Sequence, residues 1–214
     1  MPLGRRSTGL ATAFSVLRGG LAPANVQPFR QLLHGRVRLR HPMPDDYEEW
    51  AELRRVSEAF LVPWEPAWGP KELARTSYRQ RLRAYARAML ADESYPFLIF
   101  PREHGPLLGG LTLNNVRRGV TQSCALGYWI GAPHARQGFM SDAVAASLRF
   151  AFDTLHLHRV EAACVPTNEA SRRLLEKAGF RHEGYAREYH RINGVWEDHL
   201  LFGILVTDFS PAAP

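Results

Sequence analysis

Apolar and polar positions change period several times along the chain, and each change marks an element. "RVRLRHP" (36–42) alternates apolar and basic residues, as a half-exposed strand does. Pro44-Asp45-Asp46 then opens a helix, since Asp is a favoured N-cap and acids suit the positive end of the helix dipole. Tyr47, Trp50, Leu53, Val56 and Phe60 form its apolar stripe. "LVPWEPAWGP" (61–70) has Pro at 63, 66 and 70 and predicts a rigid aromatic loop. Lys71 to Asp92 lacks Gly and Pro and predicts a second helix. Three strands follow, "YPFLIF" (95–100), "LLGGLTLNNV" (107–116) and "SCALGYWIG" (123–131), with Gly109-Gly110 marking a bulge. Consecutive strands with short connections predict antiparallel pairing.

From Met140 to Leu155 the apolar residues Val144, Leu148, Ala151, Phe152 and Leu155 recur at helical spacing. "HRVEAACV" (158–165) is a strand ended by Pro166. Asn168 caps a helix running to Ala178, with Glu169 in its first turn, Lys177 in its last and Gly179 after it. Two long strands flank the hairpin dipeptide Asn193-Gly194. The fold class is α/β with a mixed, mostly antiparallel central sheet and flanking helices, over residues 35–208, followed by a short tail (209–214).

The 214 residues, 45% of them hydrophobic, suffice for one core and one domain. No apolar run approaches the length of a membrane span, so no membrane partner is expected. Cys124 and Cys164 sit in strand-like runs and read as buried thiols, consistent with a reducing, cytoplasmic setting. The net charge of +6 is not a property of the fold: seven arginines precede the first acid, Asp45, leaving 20 basic against 21 acidic residues beyond. Four of those seven arginines lie in an acid-free arm, residues 1–34, which resembles an organelle transit peptide but reads better as a disordered extension or an over-called start. With only Lys71 and Lys177 against 25 arginines, Arg richness reflects genome composition as much as function.

One corner carries chemistry. In "GYWIGAPHARQGFMSDAV" (127–144), Arg136-Gln137-Gly138 lies between a strand and a helix. A helix start there presents unpaired backbone N–H groups and a positive dipole end, which bind phosphate. Gly138 admits a ligand close to the backbone and Arg136 adds a cation, whereas GxxxxGK[ST] and GxGxxG are both absent. Local chemistry alone leaves a plain turn with a surface arginine as the alternative. "HLH" (156–158) has no Cys or carboxylate at metal spacing, and no metal is expected.

The context of that corner resembles the GNAT superfamily of acyl-CoA-dependent N-acetyltransferases, whose pyrophosphate pattern is Gln/Arg-x-x-Gly-x-Gly/Ala; here it reads Ala135-Arg136-Gln137-Gly138-Phe139-Met140, keeping the central Gly. "FLVPWEP" (60–66), "NVRRG" (115–119), "LGYWIG" (126–131), "RQGFMSDA" (136–143), "LHRVEAACVPTNEAS" (157–171), "LLEKAGFRHEGYA" (174–186) and "INGVWEDH" (192–199) are similar to the RimJ-type ribosomal-protein-alanine N-acetyltransferases. The resemblance implies acetyl-CoA as co-substrate, without a metal. It implies that Arg136, Gln137, Gly138, Phe139 and Met140 hold the pyrophosphate and that Tyr128, Trp129 and Ile130 offer main chain to the pantetheine arm. An N–H near Ile130 would polarise the thioester carbonyl. Asn168 and Ser171 would face the pantetheine and sulfur. Candidates for accepting the amine proton are Glu65, Glu188 and His190, the last matching a carboxylate of RimL-type enzymes. Many relatives carry a thiolate-protonating Tyr where this chain has Leu175; Ser171 or Tyr189 could substitute. Trp64 and Trp68 are expected to line the acceptor cleft.

The leading reading is acetylation of a protein N-terminus, that of an alanine-starting small-subunit ribosomal protein. An alternative acceptor is a small amine, such as a polyamine or amino-acid-like compound. A third reading is a non-catalytic module that binds CoA or the ribosome, using the basic arm as an electrostatic anchor.

Overall fold

Val37 and Leu39 are fully buried while Arg38 and Arg40 beside them are half-buried, so the alternation at 36–42 forms a strand, β2 (Val37–Arg40). The computed structural model describes residues 31–209; the basic arm up to residue 30 and the last five residues lie outside the described residues. β2 pairs with β3 (Tyr95–Pro101) and with β1 (Leu32–His34), a short strand within the segment counted above as arm. β4 (Gly109–Arg117) and β5 (Ser123–Ile130) continue the antiparallel run. β6 (Arg159–Cys164) pairs parallel to β5 and antiparallel to β8 (Val195–Leu205), which pairs with the edge strand β7 (Arg181–Ile192). The sheet order is β1-β2-β3-β4-β5-β6-β8-β7. The hairpin turn between β7 and β8 places Asn193 and Gly194 at φ 43° and 86°, the positive values that a two-residue hairpin loop requires.

Helices cover both faces. On one, α4 (Phe139–Arg149), continued by a π-helical turn (Phe150–Thr154), and α5 (Glu169–Lys177) pack Val144, Leu148 and Leu175 against Leu111, Leu126, Val160, Ala162, Phe202 and Ile204. On the other, α1 (Tyr47–Val56) and α3 (Arg75–Leu90) pack Trp50, Leu53 and Tyr78 against Leu98 and Phe100.

The expected first helix is broken. Ser57 is buried and its hydroxyl accepts the Ala132 N–H at 2.9 Å, and the chain restarts as a short α2 (Glu58–Leu61). Val56 and Phe60 consequently leave the buried stripe and are exposed. The second helix starts at Arg75 rather than Lys71, because Lys71–Leu73 form a turn from which Glu72 pairs with Arg81. The bulge falls between Asn114 and Arg117, not at Gly109-Gly110; a Cβ at either glycine would collide with Trp129, so the pair exists to admit that residue. Asp46 does not cap with its own side chain over the helix; it accepts the Met43 N–H at 2.7 Å and pairs with Arg40. Cys124 and Cys164 are buried free thiols, and burial pushes the Cys124 thiol up to about 12.

Candidate active site

The site begins where the sheet divides. Ser123–Ala125 of β5 pair with Arg159–Glu161 of β6, and beyond that point the two strands share no register. β5 stays bonded to β4 through Ile130↔Gly109 while β6 stays bonded to β8 through Cys164↔Leu200. On the β6 side, Leu126–Ile130 therefore present an edge that has no strand partner among the described residues. The opening is a cleft of about 1420 Å³ reaching from the start of α4 to the β7–β8 hairpin.

At one end, Arg136 and Gly138 take left-handed φ values of 61° and 83° as the chain turns into α4. Arg136, Gly138, Phe139 and Met140 line the cleft; Gln137 does not, its amide donating back to the Pro133 carbonyl at 2.9 Å. A second cation flanks this corner. Arg36, in the β1–β2 turn, donates from its main-chain N and its Nε to Asp142 Oδ2 at 3.2 and 3.1 Å, and its guanidinium lies 5.0 Å over the Phe139 ring. A Cβ on Gly138 would stand 2.6 Å from Arg36 Nη2, and the left-handed backbone there favours glycine, so the corner forms a cradle at the helix start.

Strand alternation assigns the remaining residues to opposite faces of the sheet. Tyr128 and Cys164 share the α4–α5 face with Leu126 and Ala162. The Tyr128 hydroxyl is 2.7 Å from Ser171 Oγ, and Asn168 Oδ1 accepts the Ser171 N–H at 3.0 Å, so the N-cap also fixes the serine. Burial raises the Tyr128 phenol above its ordinary range, with the Ser171 contact opposing. Burial likewise raises the Cys164 thiol. Leu175 is fully buried in the core.

On the other face lie Gly127, Trp129, Ala163 and His199, and beside them Glu65 from the Pro-rich loop. Glu65 is held bidentate by Arg54 at 3.2 and 2.5 Å and accepts the Trp68 indole N–H at 2.8 Å. The Arg54 guanidinium is surrounded by Trp50, Trp68 and Trp129 at 5.7, 4.4 and 5.0 Å. The Glu65 carbonyl accepts the Asn193 N–H at 2.8 Å, tying the loop to the hairpin. Trp64 lines the main cleft, and Trp68 lines an adjoining cavity of about 430 Å³ under α1 and α3. His190 lies 4.1 Å from the Tyr189 ring, tilted, and 4.9 Å from the His199 ring, edge-on; burial, and then His199, lower its pKa.

Glu65, His190, Tyr189, Asn168, Ser171 and Tyr128–Ile130 are thus gathered around one cleft. Glu188 is not: it sits in the bulge of β7 at φ 46°, exposed, its N–H donating to Asp198 Oδ1 at 2.7 Å. Four contributors escaped the sequence: Arg36, Arg54, the Tyr128 hydroxyl and His199. For His199 a signal existed, a lone ionisable residue opening the apolar run "HLLFGIL". Among the described residues no cluster of His, Cys, Asp and Glu could hold a metal ion, and no helix is long and apolar enough to cross a membrane.

Comparison with known proteins agrees with this geometry. Residues 36–181 match the family described as the acetyltransferase (GNAT) domain. The chain is 33% identical over 177 residues to the [ribosomal protein uS5]-alanine N-acetyltransferase of Escherichia coli, covering 82% of this chain and 89% of that one. It is 42% identical over 130 residues to the probable N-acetyltransferase YjcK of Bacillus subtilis, covering 61% of this chain and 72% of that one. The structure of Mycobacterium smegmatis RimJ in complex with CoA-disulfide superposes with a TM-score of 0.77 at 32% identity, covering 85% and 87% of the two chains. A divided sheet, a glycine cradle at a helix start and these matches have one account: the chain belongs to the GNAT family of N-acetyltransferases, among the RimJ- and RimL-type enzymes.

Proposed function

We propose that the protein moves an acetyl group from acetyl-CoA to the α-amine of a protein N-terminus, that of a ribosomal protein, with N-terminal alanine as the preferred acceptor. The observation that carries this reading is the cleft between β5 and β6, which joins the Gly138 cradle to a second opening beside Glu65 and the β7–β8 hairpin. The cradle fits a pyrophosphate: main-chain N–H groups at the start of α4, Arg136 and Arg36 would hold it. The free edge of Tyr128–Ile130 suits an amide-bearing arm. Bound there, acetyl-CoA supplies the thioester. Ser171 and Tyr128 stand on the side where a thiol would leave, and Glu65 and His190 on the side where an amine would enter. An α-amine of pKa about 7.7–8.0 needs less help to lose its proton than a lysine at about 10.4.

The carboxylates that line the two cavities also argue against a polyamine acceptor. Glu65 pairs with Arg54, Glu72 with Arg81, Glu161 and Glu183 with Arg159, and Glu169 with Arg172. A polycation would have to displace an arginine from each. The test is thiol release by the purified full chain with acetyl-CoA and either an alanine-starting peptide or spermidine. Turnover on the peptide is the expected result. Turnover on spermidine alone would overturn the acceptor, and binding of acetyl-CoA without release on either would favour a non-catalytic module. Removing residues 1–30, which spares β1, tests the arm: peptide turnover should persist, and any salt-sensitive ribosome binding should be lost.

A further inference from the structure

We propose that His199 accepts the proton of the attacking amine and that His190 passes it to solvent, an assignment that rests on the N-acetyltransferase reading above. His199 is 3% exposed, yet its ring lines the cleft on the face opposite Tyr128 and Ser171. Its Nδ1 lies 3.0 Å from the Glu197 carbonyl oxygen. A carbonyl can only accept, so Nδ1 carries the hydrogen and the lone pair of the neutral ring is on Nε2. The main chain of β8 therefore selects the tautomer that leaves a base. Glu65 is less suited, because Arg54 and Trp68 already occupy its oxygens.

The route out is His190, exposed on β7 with its ring edge-on to His199 at 4.9 Å and Tyr189 alongside at 5.7 Å. The β7 bulge between Ala186 and His190 brings these rings over β8. Burial, and then the neighbouring His199, lower the His190 pKa, which favours release of a proton from His190 to solvent. The other ionisable neighbours are satisfied elsewhere: Asp198 by the Tyr185 hydroxyl and the Glu188 N–H, Glu65 by Arg54, and Glu161 by Arg159.

In the step, the ammonium gives one proton to Nε2. The freed nitrogen lone pair forms the N–C bond to the thioester carbonyl carbon, and the C–S bond breaks with its electron pair left on sulfur. The thiolate takes a proton from solvent through the Ser171 and Tyr128 hydroxyls. The second amine proton leaves through the regenerated imidazole. One proton is released per acetyl group moved.

The test is His199→Asn, which keeps a donor for the Glu197 carbonyl and removes the basic nitrogen. Positioned proton transfer contributes about 10²–10⁴-fold, so kcat on the alanine peptide near pH 7 should fall at least about 30-fold, with the KM for acetyl-CoA within about twofold. The deficit should narrow towards pH 9, as the amine, with a pKa of about 7.7–8.0, ionises unaided. A fall below about threefold, or a deficit equal at every pH, would make His199 merely structural and overturn the assignment. Histidine ¹⁵N NMR of the wild-type protein gives a second readout that needs neither turnover nor a variant. A proton on Nδ1 and a bare Nε2 at pH 8 support the assignment, and a proton fixed on Nε2 overturns it. Failure of the wild type on the peptide strikes the acceptor reading instead, and the tautomer still tests His199.

Discussion

The Tyr128 hydroxyl meets Ser171 Oγ at 2.7 Å, bridging β5 to α5 where β5 parts from β6. Leu175, on the same helix, is fully buried in the core, so the phenol beside Ser171 comes from the strand. Ser171→Ala should lower kcat about tenfold, by removing a proton donor from the leaving side. Tyr128→Phe should cost less, since Ser171 keeps its hydroxyl. Steady-state kinetics on both variants check this, and full activity in both would remove the pair from the chemistry.

Gly138→Ala should weaken both the fold and acetyl-CoA binding. The left-handed backbone costs a non-glycine residue about 1–2 kcal/mol, and the new methyl must displace Arg36 from the cradle. A rise in acetyl-CoA Kd of about tenfold is expected, measured by calorimetric titration. An unchanged Kd would place the pyrophosphate elsewhere.

Arg54→Met should be among the most destabilising single changes near the cleft. It leaves Glu65 without its cation in a pocket where the Glu65 side chain is only 19% exposed. Breaking a buried pair from one side costs about 3 kcal/mol, roughly 6–12 °C in Tm for a domain of this size. Glu65→Gln removes the anion from Arg54, whose side chain is only 6% exposed, and should cost a similar amount, about 3 kcal/mol. Thermal unfolding of the two variants tests this.

Stability should fall as pH drops below about 6.5. Burial lowers the His41 pKa, and its Nδ1 lies 2.7 Å from the Pro96 carbonyl with the ring stacked on Phe97. The unfolded chain then binds the proton more readily than the folded one, so protonation favours unfolding. The contribution is complete above the unfolded pKa and is lost as pH falls through that value towards the folded one. His41→Asn should flatten the dependence of Tm on pH between 7 and 5; an unaltered slope would assign it to another group.

How much could be read in advance follows the range of the forces involved. The Asn168 cap and the Asn193-Gly194 turn depend on a few neighbouring residues, and each appears as the sequence implies. The break at Ser57 does not, because its cause is the distant Ala132 N–H. Nor does the purpose of Gly109-Gly110, which is set by Trp129 on the next strand.

The sequence by itself determined most of the succession of strands and helices, the strand-to-helix corner at Arg136–Gly138 and the family, since periodicity, capping and motif spacing are local or collinear properties. Tertiary structure alone decided which side of the sheet each reactive group occupies. Strand pairing put the Tyr128 hydroxyl on Ser171 and His190 beside His199 and turned Glu188 away, while packing of the first helix against the Pro-rich loop brought Arg54 to Glu65. Register and divergence are settled by contacts between residues far apart in the chain. A one-residue change in pairing would have sent the Tyr128, His190 and His199 side chains to the opposite face.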